Sequence, residues 1–102
     1  MTIFLELFPI YKYKILGISM SPTLRDGQII FLNRLSYLFR KPQKGEIIAC
    51  KDPRDQKILI KRITKIAGDN YFVEGDNKKY STDSRVFGMI RQSDIIGKVI
   101  AP

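Results

Sequence analysis

Short runs of apolar, β-branched and aromatic residues recur along the chain, and turn-forming residues separate them. Runs of this kind, bounded by glycine, proline, asparagine and aspartate, are typical of β-strands. The strand-like runs are residues 14–18, 28–33, 46–50, 57–66, 71–74 and 96–100. Their length and spacing predict a mainly β fold, a small antiparallel domain built as an open barrel or a folded-over sheet.

Helix is predicted to be a minor element. Four apolar residues between positions 4 and 11 have helical spacing, but Pro9 interrupts them, which argues against a long N-terminal helix. Residues 34–44 place apolar side chains among basic ones and predict a loop or one helical turn.

The length and charge of the chain limit the number of domains it can form and the kind of partner it can bind. At 102 residues it has room for one domain, and no run approaches the roughly 18 apolar residues that a spanning helix needs. The 18 Lys and Arg residues against 10 Asp and Glu leave a formal charge of +8, which favours an acidic partner. A solvated basic face accounts for the same charge.

Two absences exclude several kinds of catalytic site. The chain has no histidine, so neither a Ser-His-Asp nor a Cys-His arrangement can form within it. Its one cysteine, Cys50, allows no internal disulfide and no cysteine-rich zinc site, and its place at the end of a strand-like run predicts a buried structural thiol. A serine nucleophile would therefore need another base, and a desolvated lysine can serve. No metal or organic cofactor has support in the sequence.

Lys61 is the candidate base. The strand period of two puts it on the same face as Leu59 and Ile63, while Arg62 points to the other face. Burial disfavours the ammonium form and lowers a lysine pKa, and a neutral amine can take a proton from a hydroxyl. The same pattern also suits a surface lysine whose stem packs on its apolar neighbours, and this stretch alone does not decide between the two.

Ser19 is the candidate nucleophile, in the sequence Gly-Ile-Ser-Met-Ser-Pro-Thr at residues 17–23. A glycine two positions before the serine lets a substrate backbone approach, and Pro22 stiffens the chain just after it. Such a segment can expose a hydroxyl and direct backbone N–H groups at an oxyanion. The same residues also suit a plain turn.

A third segment begins with Gly-Asp-Asn at residues 75–77, which predicts a tight turn. Further along, Asp83 and Arg85 can pair on one face at strand spacing. The alternative is a surface hairpin that carries a weak, exposed ion pair.

Together the three segments resemble the signal peptidase I family of serine–lysine endopeptidases. Residues 17–23 resemble the family's nucleophile box, and Ile-Lys-Arg-Ile at 60–63 with Gly-Asp at 68–69 resembles its lysine box. Gly-Asp-Asn at 75–77, followed by Ser-Thr-Asp-Ser-Arg at 81–85, is similar to the C-terminal box. The resemblance implies a catalytic domain at 15–102. The segment before it, 1–14, is apolar with flanking basic residues, and it is expected to lie on a membrane surface or to pack on the core.

The resemblance implies a role for each matching residue. Ser19 would be the nucleophile, and its backbone N–H one oxyanion donor, with Lys61 as the general base. Ser81 would orient the lysine, and the pair of Asp83 and Arg85 would support the site from behind. Some family members have a serine where Gly17 stands, so at Gly17 the second oxyanion donor is left to the backbone or to water.

The resemblance also implies that an extended substrate lies between residues 15–18 and 58–60 and adds a strand there. The implied substrate-binding residues are Ile15, Leu16, Gly17, Ile18, Met20, Pro22, Ile58, Leu59 and Ile60.

Within the family, the compact form, with 18 residues before Ser19 and a minimal connection from Asp69 to Gly75, looks most like the nickel-type superoxide dismutase maturation proteases. The expected partner is a precursor with an N-terminal leader, in first place the nickel superoxide dismutase proenzyme. Leader processing of the general signal peptidase or inner-membrane peptidase type is the alternative. The expected location is cytoplasmic, or peripheral at a membrane surface.

A non-enzymatic alternative is a basic β module that binds nucleic acid or anionic lipid. The aromatic residues are scattered along the chain and are not interleaved with charge on one strand pair, so no nucleic-acid partner is expected.

Overall fold

The computed structural model describes residues 10–100. Among these residues seven strands form one curled antiparallel sheet, in the order β1-β2-β7-β3-β4-β5-β6. The strands are β1 (Ile10–Lys14), β2 (Ile29–Asn33), β3 (Ile47–Lys51), β4 (Ile58–Ala67), β5 (Asn70–Glu74), β6 (Ile90–Arg91) and β7 (Ile95–Ile100). Within the described range, helix is limited to a single turn, α1 (Ser84–Phe87), and to the 3₁₀ turns Lys78–Tyr80 and Gln92–Asp94. The predicted mainly β fold is confirmed.

The predicted strands agree with the observed ones to within a residue at each end, apart from the first. The prediction of a strand at 14–18 is wrong, because the strand is Ile10–Lys14 and pairs along its whole length with β2. Gly17, with φ +89°, bends the chain out of the extended conformation that the prediction required. The two residues of β6 were not predicted, since so short a strand leaves no readable pattern.

In the part of the chain that the structure describes, the apolar core consists of two clusters. Cluster one contains Ile15, Met20, Leu24, Ile30, Leu32, Ala49, Ile60 and Val99, and cluster two contains Ile48, Cys50, Ile63, Tyr71, Val73 and Ile90. The central strand β3 contributes to both, because successive side chains of a strand point to opposite faces. Cys50 is the buried thiol that was predicted, and burial raises its pKa to about 12.

The long strand β4 changes partner along its length. It pairs with β3 over residues 58–62 and with β5 over residues 62–67, with a register shift between Ile63 and Lys65. Among residues 10–100, the edge of Ile58, Leu59 and Ile60 that faces away from β3 therefore has no strand partner. This open edge forms one wall of the candidate site.

The segment between β2 and β3 consists of turns and bends, which confirms the loop prediction for 34–44. Leu38 and Phe39 are strongly exposed there. No helix within the described part of the chain is long and apolar enough to cross a membrane. Most of the N-terminal segment predicted at 1–14 lies outside the described residues, and its last five residues form β1.

Candidate active site

Ser19 lies in a compact turn after β1. Within this turn the Ser21 N–H donates to the Ile18 carbonyl over 3.0 Å, and the Leu24 N–H donates to the Met20 carbonyl over 2.9 Å. The Met20 side chain is buried in cluster one and anchors the turn to the core. Ser19 itself remains half-buried, beside a cleft.

The backbone N–H groups of this turn differ in their availability. The Gly17 N–H donates to Asp26 Oδ1 over 2.8 Å and is therefore occupied. The Ser19 N–H has no acceptor within residues 10–100, so it is free to donate to a bound molecule. Of the two predicted oxyanion donors, only the Ser19 N–H is unoccupied.

The loop after β5 holds the Ser19 turn from the side. The Asn77 N–H donates to the Ser19 carbonyl over 2.8 Å, and Asn77 Nδ2 donates to the Ile18 carbonyl over 3.1 Å. Thr23 Oγ1 donates to Asp76 Oδ2 over 2.6 Å. Three hydrogen bonds thus position the backbone on both sides of the candidate nucleophile.

Arg62 joins this loop to β4. Its Nε and Nη2 donate to the two carboxylate oxygens of Asp76, each over 2.8 Å, in the bidentate geometry that gives strong charge-assisted bonds. The hydrogen bonds from Arg62 lower the pKa of Asp76 although partial burial opposes them. The Ser19 turn is thereby tied through Asp76 to the strand that carries Lys61.

Lys61 is buried, with 3% of its surface exposed. Leu59 and Ile63, two positions to either side, both contact cluster two, so the face that they share with Lys61 points into the protein. Lys61 Nζ donates to Ser81 Oγ over 2.9 Å. Burial lowers the pKa of Lys61, and the positive charge of Arg85 adds to this, whereas Asp83 and Cys50 act in the opposite direction.

The Ser81 hydroxyl determines which way the Lys61 amine points. Ser81 Oγ lies 2.7 Å from Asp83 Oδ2, and since a carboxylate is an acceptor only, the hydroxyl proton must point at Asp83. The Ser81 lone pairs then accept from Lys61 Nζ and, over 3.1 Å, from the Gly75 N–H. A neutral Lys61 uses one N–H on Ser81 and keeps its lone pair for another direction.

Asp83 is fully buried and forms the N-cap of α1. It accepts hydrogen bonds from the Gly75 N–H over 2.8 Å and from Arg85 Nε over 2.9 Å. Burial opposes its ionisation, but the hydrogen bonds from Arg85, Ser81 and Gly75 outweigh burial and lower its pKa to about 2. The predicted pair with Arg85 forms across a helical turn, and the predicted strand-like arrangement of this segment is wrong.

Gly75 lies between the Ser19 turn and Ser81, the hydrogen-bond partner of Lys61. A Cβ atom at this position would overlap Ser81 Oγ and would lie 2.6 Å from the Ser19 carbonyl oxygen. Only a glycine can therefore hold the Ser19 turn and Ser81 this close together.

Ser19 and Lys61 line one cleft of about 150 Å³, between the Ser19 turn and the open edge of β4. Within the described residues, no hydrogen bond joins the Ser19 hydroxyl to Lys61. The cleft is lined by Tyr13, Ile15, Leu16, Ser19, Met20, Ile58, Leu59, Ile60 and Lys61. Of the predicted substrate-binding residues, Gly17, Ile18 and Pro22 lie outside this lining.

Sequence reasoning missed several residues that shape the site. It gave no role to Tyr13, which lines the cleft, or to Asp76 and Asn77, which hold the Ser19 turn. The contacts of Asp76 and Asn77 with the Ser19 turn join residues more than 50 positions apart in the chain, so no local pattern pairs them. The available signal was the Gly-Asp-Asn turn itself, because Asp and Asn side chains in turns often hydrogen-bond to nearby backbone.

Comparisons with known proteins give a consistent result. The family model described as "Signal peptidase, peptidase S26" matches residues 1–70 and 64–102. Signal peptidase I V of Bacillus subtilis is 28% identical over 85% of this chain and 82% of its own length. Signal peptidase I of Bacillus caldolyticus is 30% identical over 93% of this chain and 80% of its own.

Human mitochondrial inner membrane protease subunit 1 is also similar, at 34% identity over 81% of this chain. The chain spans only 63% of the length of that protein.

Proposed function

The chain belongs to the signal peptidase family, peptidase S26, and we propose that it cuts an N-terminal leader from a precursor protein with Ser19 as nucleophile and Lys61 as base. The family match and the bacterial relatives indicate a serine endopeptidase. The observation that carries the assignment of roles is the burial of Lys61 against Ser81, in a cleft that also contains Ser19.

In the proposed reaction the neutral Lys61 amine takes the proton of the Ser19 hydroxyl while Ser19 Oγ attacks the carbonyl carbon of the scissile bond. The Ser19 N–H donates to the oxyanion that develops. Since the Gly17 N–H is already donated to Asp26, a second donor comes from water or from another backbone group.

Collapse of the tetrahedral intermediate breaks the C–N bond, and the Lys61 ammonium returns its proton to the leaving amine. An acyl ester on Ser19 remains. Lys61 then deprotonates a water molecule that attacks this ester. As the C–O bond to Ser19 breaks, the Lys61 ammonium returns the proton to Ser19 Oγ and the hydroxyl is regenerated. The Asp83 carboxylate, which acts on Lys61 through Ser81, stabilises the ammonium that forms in each half of the reaction.

The substrate is proposed to bind as an added strand. The open edge of residues 58–60 offers backbone groups on one side of the cleft, and Leu16 lies on the other side with its N–H and carbonyl unpaired among the described residues. Main-chain bonds would give affinity, and the apolar lining would select apolar side chains. All the reacting groups lie within 15–102, the proposed catalytic domain, and Tyr13 adds one wall to the cleft.

The names of the relatives support leader processing in general. Within that class we propose the nickel superoxide dismutase proenzyme as precursor, because the minimal connection from Asp69 to Gly75 is a feature by which the chain resembles the maturation proteases. In keeping with this short connection, only Gly68 and Asp69 separate β4 from β5. A secretory preprotein is the alternative substrate.

Peripheral contact with a membrane is proposed for the loop between β2 and β3. Leu38 and Phe39 project from it with 69% and 86% of their surface exposed, and Arg40 and Lys41 follow directly. Exposed apolar side chains beside basic ones suit the surface of an anionic bilayer.

The test is cleavage of both candidate precursors by the wild type and by the Ser19→Ala and Lys61→Ala variants, with each new N-terminus read by mass spectrometry. Lys65→Ala is the matched control, because Lys65 lies on the same strand but is exposed. One defined cut that is lost in both site variants and kept in the control would support the proposal. A cut that survives loss of Ser19 would refute it.

A further inference from the structure

We propose that the active cleft continues into a second subsite, where Arg34 binds an acidic side chain of the precursor several residues from the cleaved bond. This inference rests on the proposed function. A hollow of about 250 Å³ adjoins the cleft, and Tyr13 and Ile58 line both. The hollow is lined by Tyr11, Lys12, Tyr13, Leu32, Arg34, Ile58 and Ile96.

The hollow is a continuation of the cleft and not a separate feature of the surface. Because Tyr13 and Ile58 border both spaces, a chain that lies in the cleft passes between them into the hollow. Its floor is apolar, since Leu32 belongs to cluster one and Ile58 exposes 45% of its surface. An extended substrate would therefore find further apolar contact beyond the reacting groups.

Arg34 and Lys12 both bring positive charge to this subsite, and Arg34 is the cation whose contacts with Tyr11 hold it in place. Its guanidinium carbon lies 5.3 Å from the centre of the Tyr11 ring, and Nη1 donates to the Tyr11 hydroxyl over 3.3 Å. These contacts hold the guanidinium against the wall of the hollow. They do not neutralise it, because an aromatic ring and a phenol carry no negative charge.

A comparison with other arginines shows what Arg34 lacks. Four of them form ion pairs within the chain: Arg40 with Glu46, Arg54 with Asp52, Arg62 with Asp76 and Arg85 with Asp83. No carboxylate of residues 10–100 lies within ion-pair distance of Arg34, Arg25 or Arg91. Of these three, only Arg34 lines a hollow that joins the cleft. A carboxylate on the substrate would complete its coordination.

The position of this carboxylate along the substrate follows from strand geometry. Ile58, which borders the hollow, lies three positions before Lys61 on β4, and an extended chain advances about 3.3 Å per residue. A substrate that runs beside β4 away from Lys61 would therefore enter the hollow about four residues from the cut bond and cross it within about four to eight residues. The preference is therefore expected at one position or two neighbouring positions in that window.

The experiment uses peptides based on the cleaved precursor, with a single Glu moved through positions four to eight on either side of the cut. Each Glu peptide has matched Gln and Lys versions. With the wild type, kcat/KM for the Glu peptide is expected to be about three to ten times that for the Lys peptide at the responsive position, as for a partly exposed ion pair. Arg34→Gln should abolish this preference, and Arg34→Glu should reverse it.

Arg91→Glu is the matched control, because it makes the same change of charge at an exposed residue outside the cleft and the hollow. It should keep the wild-type preference, which separates the local contact from the general attraction of a basic protein for acidic peptides. Equal rates for Glu and Lys at every position, or a preference that survives in Arg34→Glu, would overturn the subsite.

Binding of the same peptides to the Ser19→Ala variant separates this inference from the proposed function. Fluorescence anisotropy should show tighter binding of the responsive Glu peptide, and this difference should vanish when Arg34→Gln is added. If the wild type cuts no peptide but this binding difference is present, the proposed reaction fails and the acidic subsite stands. If cutting occurs without the difference, the subsite fails alone.

Discussion

The two faces of β4 carry neighbouring basic side chains in opposite environments. Arg62, on one face, is partly exposed and makes a bidentate ion pair with Asp76, and its hydrogen bonds to that carboxylate raise its pKa. Lys61, on the other face, is buried, and its hydrogen-bond partner is the neutral Ser81 hydroxyl. Burial lowers its pKa.

The difference shows how one strand can hold a permanent cation and a base side by side. A buried ammonium is tolerated when a carboxylate contacts it directly. Here Asp83, the carboxylate whose charge acts on Lys61, is bound to Arg85 and is linked to Lys61 through Ser81. Lys61 is thereby kept from a full ion pair, and its neutral form is favoured.

The strongest way to break this contrast is to make Lys61 resemble Arg62. In Lys61→Arg the guanidinium cannot lose its proton, so kcat/KM for precursor cleavage should fall by about 10³-fold or more. Lys65→Arg, on the same strand, should leave the rate unchanged. Initial rates with the cleaved precursor measure both variants, and substantial activity in Lys61→Arg would mean that Lys61 is not the base.

A smaller but still large loss of cleavage rate is expected when a methyl group is added at Gly75, between Ser81 and the Ser19 turn. In Gly75→Ala the new methyl group must displace Ser81 or the Ser19 carbonyl, and a misplacement of about 1 Å can reduce the rate about 10²-fold. Thermal unfolding should also show a loss of about 1–3 kcal/mol from overpacking.

Gly68→Ala is the control for Gly75→Ala. Gly68 has φ +62°, but a Cβ there meets nothing within 4 Å. Its effect should be confined to backbone strain of about 1 kcal/mol, with the rate kept. Equal rate losses in the two variants would contradict the special role of Gly75.

The pH dependence of cleavage in Arg85→Ala tests how the surroundings of Lys61 lower its pKa. Since a base works only when neutral, kcat/KM should rise with pH through the lowered pKa of Lys61. The positive charge of Arg85 helps to lower that pKa, so in Arg85→Ala the rise should move to higher pH, and the rate at neutral pH should fall by up to about tenfold because less of Lys61 is neutral.

Two further variants test whether this shift comes from charge near Lys61. Arg85→Lys keeps the charge and should move the pH–rate profile less than Arg85→Ala does. Arg62→Gln removes a charge on the opposite face and should leave the profile in place. A profile that Arg85→Ala does not move would show that burial alone lowers the pKa.

The smallest effect on the cleavage rate is expected for Arg62, on the face of β4 opposite Lys61. Arg62→Gln leaves the Asp76 carboxylate without its guanidinium partner and should reduce the free energy of unfolding by about 1–3 kcal/mol, measured by urea denaturation. The double variant Arg62→Gln/Asp76→Asn should lose less than the sum of the single losses, because it leaves no unpaired charge. Strict additivity would mean that the pair contributes nothing.

Local patterns predicted much of the fold. Periodicity and turn residues located five of the observed strands to within a residue, and the sequence alone excluded a histidine-dependent triad. The period of two also put Lys61 on a face with Leu59 and Ile63, both of which contact cluster two. The first strand was misplaced because the bend at Gly17 depends on the Gly17 N–H reaching Asp26, nine positions later.

The sequence by itself determined the features that depend on residues close together in the chain. These are the positions of the strands, the face that Lys61 shares with Leu59 and Ile63, and the motifs that resemble the signal peptidase boxes. Tertiary structure alone decided the contacts between distant segments, such as Asn77 on the Ser19 carbonyl and Asp83 on the Gly75 N–H. It also left Arg34 without a carboxylate among the described residues. The physical reason is that side-chain alternation is a local property of a strand, whereas hydrogen-bond partners depend on the order and register of the whole sheet.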